Sequence, residues 1–251
     1  MVVAQIEASS GGWCTRCGHE HRLPAAGVID DCRQLMQRLR AERFLDWSEA
    51  EGKRDPRLAI EALFAEGGGK MFGVLACRDA QGRRLVLRAF SGQFNGLWEV
   101  PGWVGPICDP LAFGELVAEP DREIKGLGRE LASLEVGSAA HREVKARRKA
   151  LSQELMAAIF ALYRLRNFRG DEATLTEAFT GQGLPPSGTG DCCAPKLLHS
   201  AARQGLIPEA MAEFFWGQSN ESASKQHGRF YPACAAKCQP ILGFQLCGLP
   251  G

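Results

Sequence analysis

Residues 187–217 read SGTGDCCAPKLLHSAARQGLIPEAMAEFFWG, and residues 228–249 read GRFYPACAAKCQPILGFQLCGL. In each half a cysteine-bearing turn runs into an apolar helix pattern. A short apolar strand, residues 211–216, separates the two. Cys192 and Cys193 fall where the first helix begins, and Cys234 and Cys238 where the second begins. A helix N-terminus favours negative charge, so thiolates there are stabilised and make good metal ligands. The spacing points to a zinc site built from Cys192, Cys234 and Cys238, with Cys193 turned into the core. Buried structural thiols are the alternative, because cysteine is among the most buried residue types.

Outward from this stretch, the clearest secondary structure is a strand pair. KMFGVLACRD and RRLVLRAFSG flank Ala80-Gln81-Gly82, a hairpin signature. The first arm is almost wholly apolar and reads as a central strand buried on both faces. Residues 93–110 are rich in Gly, Pro and Trp and read as a loop that packs on the body of the fold, with a cover over one end of a pocket as the alternative. Apolar residues at helical spacing (Ile29, Cys32, Leu35, Met36, Leu39) place core helix over 29–50, and Pro56 opens a helix running to Phe64. A further short helix is expected over 171–179.

Residues 112–168 differ in kind, with many helix formers and few turn signals except Val136-Gly137-Ser138. They read as a helical hairpin inserted into the α/β body. Its second arm, taken to reach Leu165, carries Arg142, Lys145, Arg147, Arg148 and Lys149. Such a basic run is either a solvated helix face or an arm contacting RNA phosphates.

The N-terminal segment holds Cys14-Thr15-Arg16-Cys17-Gly18, a C-x-x-C-G turn of the kind that wraps a zinc ion. His19, His21 and Cys32 are the candidates to complete a second metal site there. The alternative is a reduced, exposed cysteine pair. The chain divides into this segment with its helices (1–54) and an α/β domain (55–251).

Composition bounds the rest. The formal net charge is +1 over 251 residues, so a nucleic-acid surface has to be a local patch. No apolar run reaches the roughly 18 residues that span a bilayer, and residues 1–12 lack a secretory pattern. A cytoplasmic protein is expected, with its ten cysteines as thiols and metal ligands rather than a disulfide framework.

The order hairpin, Cys-led helix, strand, Cys-led helix resembles the cytidine-deaminase fold, especially its bacterial toxin-like branches. The resemblance implies a three-layer α/β sandwich with zinc held by one ligand at the first helix and two at the second. It also implies a glutamate two residues after the first ligand to move protons. Ala194 stands at that position, and the second motif is C-x-x-x-C rather than C-x-x-C. Asp191 and Glu213 are the candidate substitutes for the glutamate.

The phrases GKMFGVLACRD, PGWVGPI, GTGDCCAPKLLHSAARQG, AMAEFFWG and GRFYPACAAKCQPILGFQLCGL also resemble the N-terminal extension of large bacterial RluA-type pseudouridine synthases, over roughly residues 55–249. The synthase aspartate lies in a His-Arg-Leu-Asp motif. The nearest match, His21-Arg22-Leu23-Pro24, lacks it. That resemblance implies company with RNA modification rather than isomerase activity. The expectation is a zinc-binding accessory module that contacts RNA (tRNA or rRNA) or an RNA-modifying enzyme, with an active zinc deaminase as the alternative.

Overall fold

The computed structural model describes residues 9–49, 51–219 and 224–249; the eight residues that open the chain lie outside this set. The chain forms a mixed α/β structure around one antiparallel sheet. β3 (Lys70–Arg78), β4 (Arg84–Phe90), β7 (Ile207–Trp216) and β8 (Phe230–Tyr231) lie in the order β4-β3-β7-β8. Every neighbouring pair is antiparallel. β3 is buried from Phe72 to Cys77 and β7 from Ala210 to Trp216, as their apolar runs require of central strands.

Side chains alternate between the faces of this sheet. Phe72, Val74, Ala76, Ala212, Phe214 and Trp216 point toward α1 (Ile29–Glu42), which adds Ile29, Cys32, Leu35 and Leu39 to the same core. The cross-strand partners Phe72 and Phe214 stack with ring centroids 5.8 Å apart. Trp103, from the Gly/Pro/Trp loop, packs on Phe72 and Phe90 and donates its indole N–H to the Leu45 carbonyl at 2.9 Å. The loop therefore seals this core, as expected. The opposite face presents Leu75, Cys77 and Met211 to α5 (Cys193–Arg203) and α6 (Gln239–Leu246).

Two further elements frame this body. β1 (Ser10–Cys14) and β2 (His19–Leu23) form a hairpin that lies against α6. The long helices α2 (Pro110–Ser133) and α3 (Ala139–Leu162) form the expected helical hairpin. Asp109 caps α2, with Pro110 in its first turn, and Ser138 caps α3. The second arm stops at Leu162, earlier than the sequence periodicity suggests. Arg164–Arg166 then forms β5 against β6 (Glu172–Thr174), which leads into α4 (Leu175–Ala178). The short helix expected over 171–179 is thus half strand. Thr174 and Glu177 cap α4 reciprocally, and this fixes where the strand ends. The helix expected after Pro56 is two 3₁₀ turns, Pro56–Leu58 and Ile60–Phe64, interrupted by the extended backbone of Ala59, whose strand bridge is to Phe44.

One contact decides where α5 begins. A Cβ on Gly73 would lie 2.5 Å from Cys193 Cβ, so the first turn of α5 rests on bare β3 backbone. The Cys193 thiol donates to the Met71 carbonyl at 3.3 Å in the same place. Cys193 is wholly buried, the core thiol that the sequence suggests. Gly73→Ala should destabilise the fold by about 1–3 kcal/mol through overpacking. A denaturant melt with an unchanged midpoint would contradict this close approach.

Candidate metal centre

α5 and α6 converge with their N-termini together. Cys192 is the N-cap residue of α5 and Cys238 that of α6, and neither side chain makes a capping hydrogen bond. Cys234 sits one turn before Cys238, and the Cys238 amide donates to its carbonyl at 3.1 Å. The sulfurs of Cys192, Cys234 and Cys238 all lie within 4.8 Å of one another, with Cys234 and Cys238 3.4 Å apart. The structure thus brings together the three thiols singled out in the sequence. The extra residue in C-x-x-x-C is absorbed by the turn 235–238.

The three sulfurs do not hold protons equally. Hydrogen bonding with Cys192 and Cys238, together with the backbone amides of Cys238 and Lys237, lowers the Cys234 thiol below the ordinary range. Cys192 is pushed up to about 12 through its hydrogen bond to Cys234, and Cys238 rises chiefly through its hydrogen bond to Cys192 and then that to Cys234. Such a crowded sulfur set suits a soft cation that replaces the shared protons. All ten cysteines are free thiols, as expected for metal-ligand chemistry.

Glu213 completes the arrangement. It shares a face of β7 with Met211, the face toward α5 and α6, and is only 4% exposed. Its Oε1 accepts the backbone N–H of Ala194 at 3.1 Å. Burial pushes its carboxyl up to about 7, the Ala194 amide opposes this, and the negative Cys234 sulfur adds to it. A strand carboxylate thus reaches the residue next but one to Cys192. Lys225 lies near enough for Glu213 and the three sulfurs to oppose the lowering that burial imposes on its ammonium. Nothing in the sequence pattern marks Lys225.

Asp191, the other candidate, is engaged elsewhere. Its carboxylate accepts the Tyr163 hydroxyl at 2.5 Å, and its carbonyl accepts the Gly92 amide at 2.8 Å. It pins the α3 end to the start of α5.

A second group gathers Cys14, Cys17, His21 and Cys247. Three of these are sequence candidates, and Cys247 is an addition from the far end of the chain. His19 is exposed; its ring lies against that of His21, with centroids 4.4 Å apart, and its Nδ1 is 3.2 Å from the Glu20 carbonyl oxygen. Cys32 is not part of the group. It is buried in α1 on the other side of the sheet, its thiol raised to about 12 mainly by burial. Helical periodicity, which marks Cys32 as a core position, outweighs its nearness in sequence.

The basic side chains Arg142, Lys145, Arg147, Arg148 and Lys149 are all exposed on α3. Arg147 is paired with Glu123 of α2 at 2.7 Å. No helix among the described residues is long and apolar enough to cross a membrane. No known family, curated protein or solved structure gives a significant match to the chain.

The charge distribution predicts that, in metal-free reduced protein, iodoacetamide at about pH 6 labels Cys234 well ahead of Cys192 and Cys238. That is below the ordinary thiol pKa of about 8.5. Peptide mapping that finds the three labelled equally would contradict a thiolate localised on Cys234.

Proposed function

We propose that this chain is a zinc-dependent hydrolase of the deaminase type, acting on the exocyclic amine of a nucleobase. The observation that carries the reading is the Glu213–Ala194 hydrogen bond. It sets a buried carboxylate at the backbone position where the deaminase pattern has its glutamate, although Ala194 itself has none. The sheet order β4-β3-β7, antiparallel throughout, with α5 and α6 on one face and α1 on the other, supports the deaminase resemblance.

The donor set fits zinc. Three cysteine sulfurs converge at two helix N-termini and leave a fourth position for an exogenous ligand, as in catalytic rather than structural sites. Cys192, Cys234 and Cys238 would hold the ion, which supplies Lewis acidity and brings the pKa of water toward neutrality. Glu213 does the proton work. In hydrolytic deamination a C–O bond forms, the C–N bond breaks, and protons pass from water to the ring nitrogen and the leaving ammonia. A carboxyl poised near neutrality both accepts and returns a proton at working pH. The Ala194 amide fixes Oε1 and thereby the orientation of the group.

The α2–α3 hairpin is the natural nucleic-acid contact of this reading. The five basic side chains of α3 face solvent, although Glu123 neutralises Arg147. The resemblance to the synthase extension would place the chain beside an RNA-modifying enzyme.

Zinc-loaded protein should release ammonia from cytidine, adenosine or single-stranded RNA carrying these bases. Glu213→Gln should lower the rate by about 10²–10⁴-fold while zinc content stays unchanged. Equal rates in the variant, or no ammonia from any of these substrates, would overturn the proposal. Neutralising Arg142, Lys145, Arg148 and Lys149 together should weaken RNA binding and flatten its salt dependence. Unchanged binding would remove the hairpin from the reading.

A further inference from the structure

We infer that Cys14, Cys17, His21 and Cys247 form a second, closed zinc site that is structural and clamps the N-terminal hairpin to the C-terminal end of α6. Three sulfurs and one imidazole nitrogen lie within 4.8 Å of one another, a complete Cys₃His set. Four protein ligands leave no position for substrate, in contrast to the three at the other centre. The Cys17 and Cys247 sulfurs are 3.5 Å apart. Gly18, at φ +70°, turns the chain after Cys17 so that its amide donates back to the Cys14 carbonyl at 2.9 Å, closing the C-x-x-C-G loop.

Two independent observations point to a ligand. The first is His21, which is about nine-tenths buried; its Nε2 is shielded from solvent and has no hydrogen-bond partner among the described residues. Leaving such a nitrogen unpaired is costly, and a metal is one way to use its lone pair. The second is the bare contact between β1 and α6. A Cβ on Gly12 would lie 2.1 Å from the Gln239 carbonyl oxygen, and one on Gly243 would lie 1.9 Å from the Trp13 carbonyl oxygen. Backbone meets backbone here, and besides Cys14 the hairpin buries one apolar side chain, Leu23, in the core under α6. Trp13, its one aromatic residue, is 53% exposed. An isolated two-stranded hairpin is marginal in water, and an added cross-link supplies what the contact lacks.

The placement also links the two centres. Cys238 caps the N-terminus of α6 and Cys247 its C-terminus, so the helix is held at both ends by sulfur sites about 13 Å apart. Arg169 lies beside the closed site, its Nε donating to the Cys247 sulfur at 3.3 Å.

The test is metal stoichiometry on the reduced full chain, with zinc and then cobalt(II) as probe. Wild type should bind two ions, and Cys192→Ser with Cys234→Ser should retain one. The cobalt spectrum and X-ray absorption of that variant should report three sulfurs and one nitrogen in a tetrahedral shell. Cys17→Ser with Cys247→Ser should also retain one ion but lose amide-exchange protection across residues 10–23. If that variant does not fold, the coordination shell of the Cys192/Cys234 variant decides alone. No ion in that variant, or a Cys17–Cys247 disulfide in its place, would overturn the inference. Neither result bears on deamination, which is read at the other centre.

Discussion

The contact on which the site depends is the landing of α5 on β3 at Gly73. A helix N-terminus reaches a sheet this closely only where a side chain is missing, and Cys193 occupies the space a Cβ would need. Three consequences follow from that one approach. Cys192, as N-cap, is set at the edge of the helix rather than inside it. The first-turn amide of Ala194 comes within hydrogen-bond distance of a carboxylate on β7, the strand next to β3. The α5 N-terminus also meets the turn carrying Cys234 and Cys238. A shift of an ångström at Gly73 would separate all three.

The electrostatics follow from the same geometry. Two helix N-termini aim partial positive charge at a small volume that holds three sulfurs and one buried carboxylate. Burial alone would protonate every one of these groups. Cys234 escapes because thiols and amides around it favour the anion, whereas Glu213 is held near neutrality by opposing influences. An added cation changes this balance most at Cys192 and Cys238, whose protons it displaces.

Much of this was legible in the sequence, and the exceptions have physical reasons. The central hairpin, the helix starts at Cys192 and Cys238 and the Val136–Ser138 turn follow from local pattern. The convergence of Cys192, Cys234 and Cys238 was read from element order instead, which sets both helix starts at one side of the sheet. What local pattern does not carry is long-range contact. Cys247 joins Cys14 and Cys17 across nearly the whole chain, and no spacing rule connects them. His19 and Cys32 attract attention by proximity, yet His19, on the same face of β2 as His21, stays exposed at the end of the strand, and helical periodicity buries Cys32. Glu213 was visible as a lone charge in an apolar strand. Reading the strand with period two puts it on the Met211 face, though its reach to Ala194 depends on the fold. The end of α3 was missed because Arg164–Arg166 continues the apolar and basic rhythm of the helix while pairing as a strand.

The central claim is that one end of α6 carries an open three-sulfur centre served by Glu213 and the other a closed four-ligand centre. A crystal structure of zinc-loaded protein, phased at the zinc edge, tests it most directly. The account predicts two anomalous peaks. One lies among Cys192, Cys234 and Cys238, with a non-protein fourth ligand in hydrogen-bond reach of the Glu213 carboxylate. The other is enclosed by Cys14, Cys17, His21 and Cys247. A first peak whose fourth ligand is a protein side chain, a Glu213 carboxylate turned away from it, or no peak among these sulfurs would contradict the account.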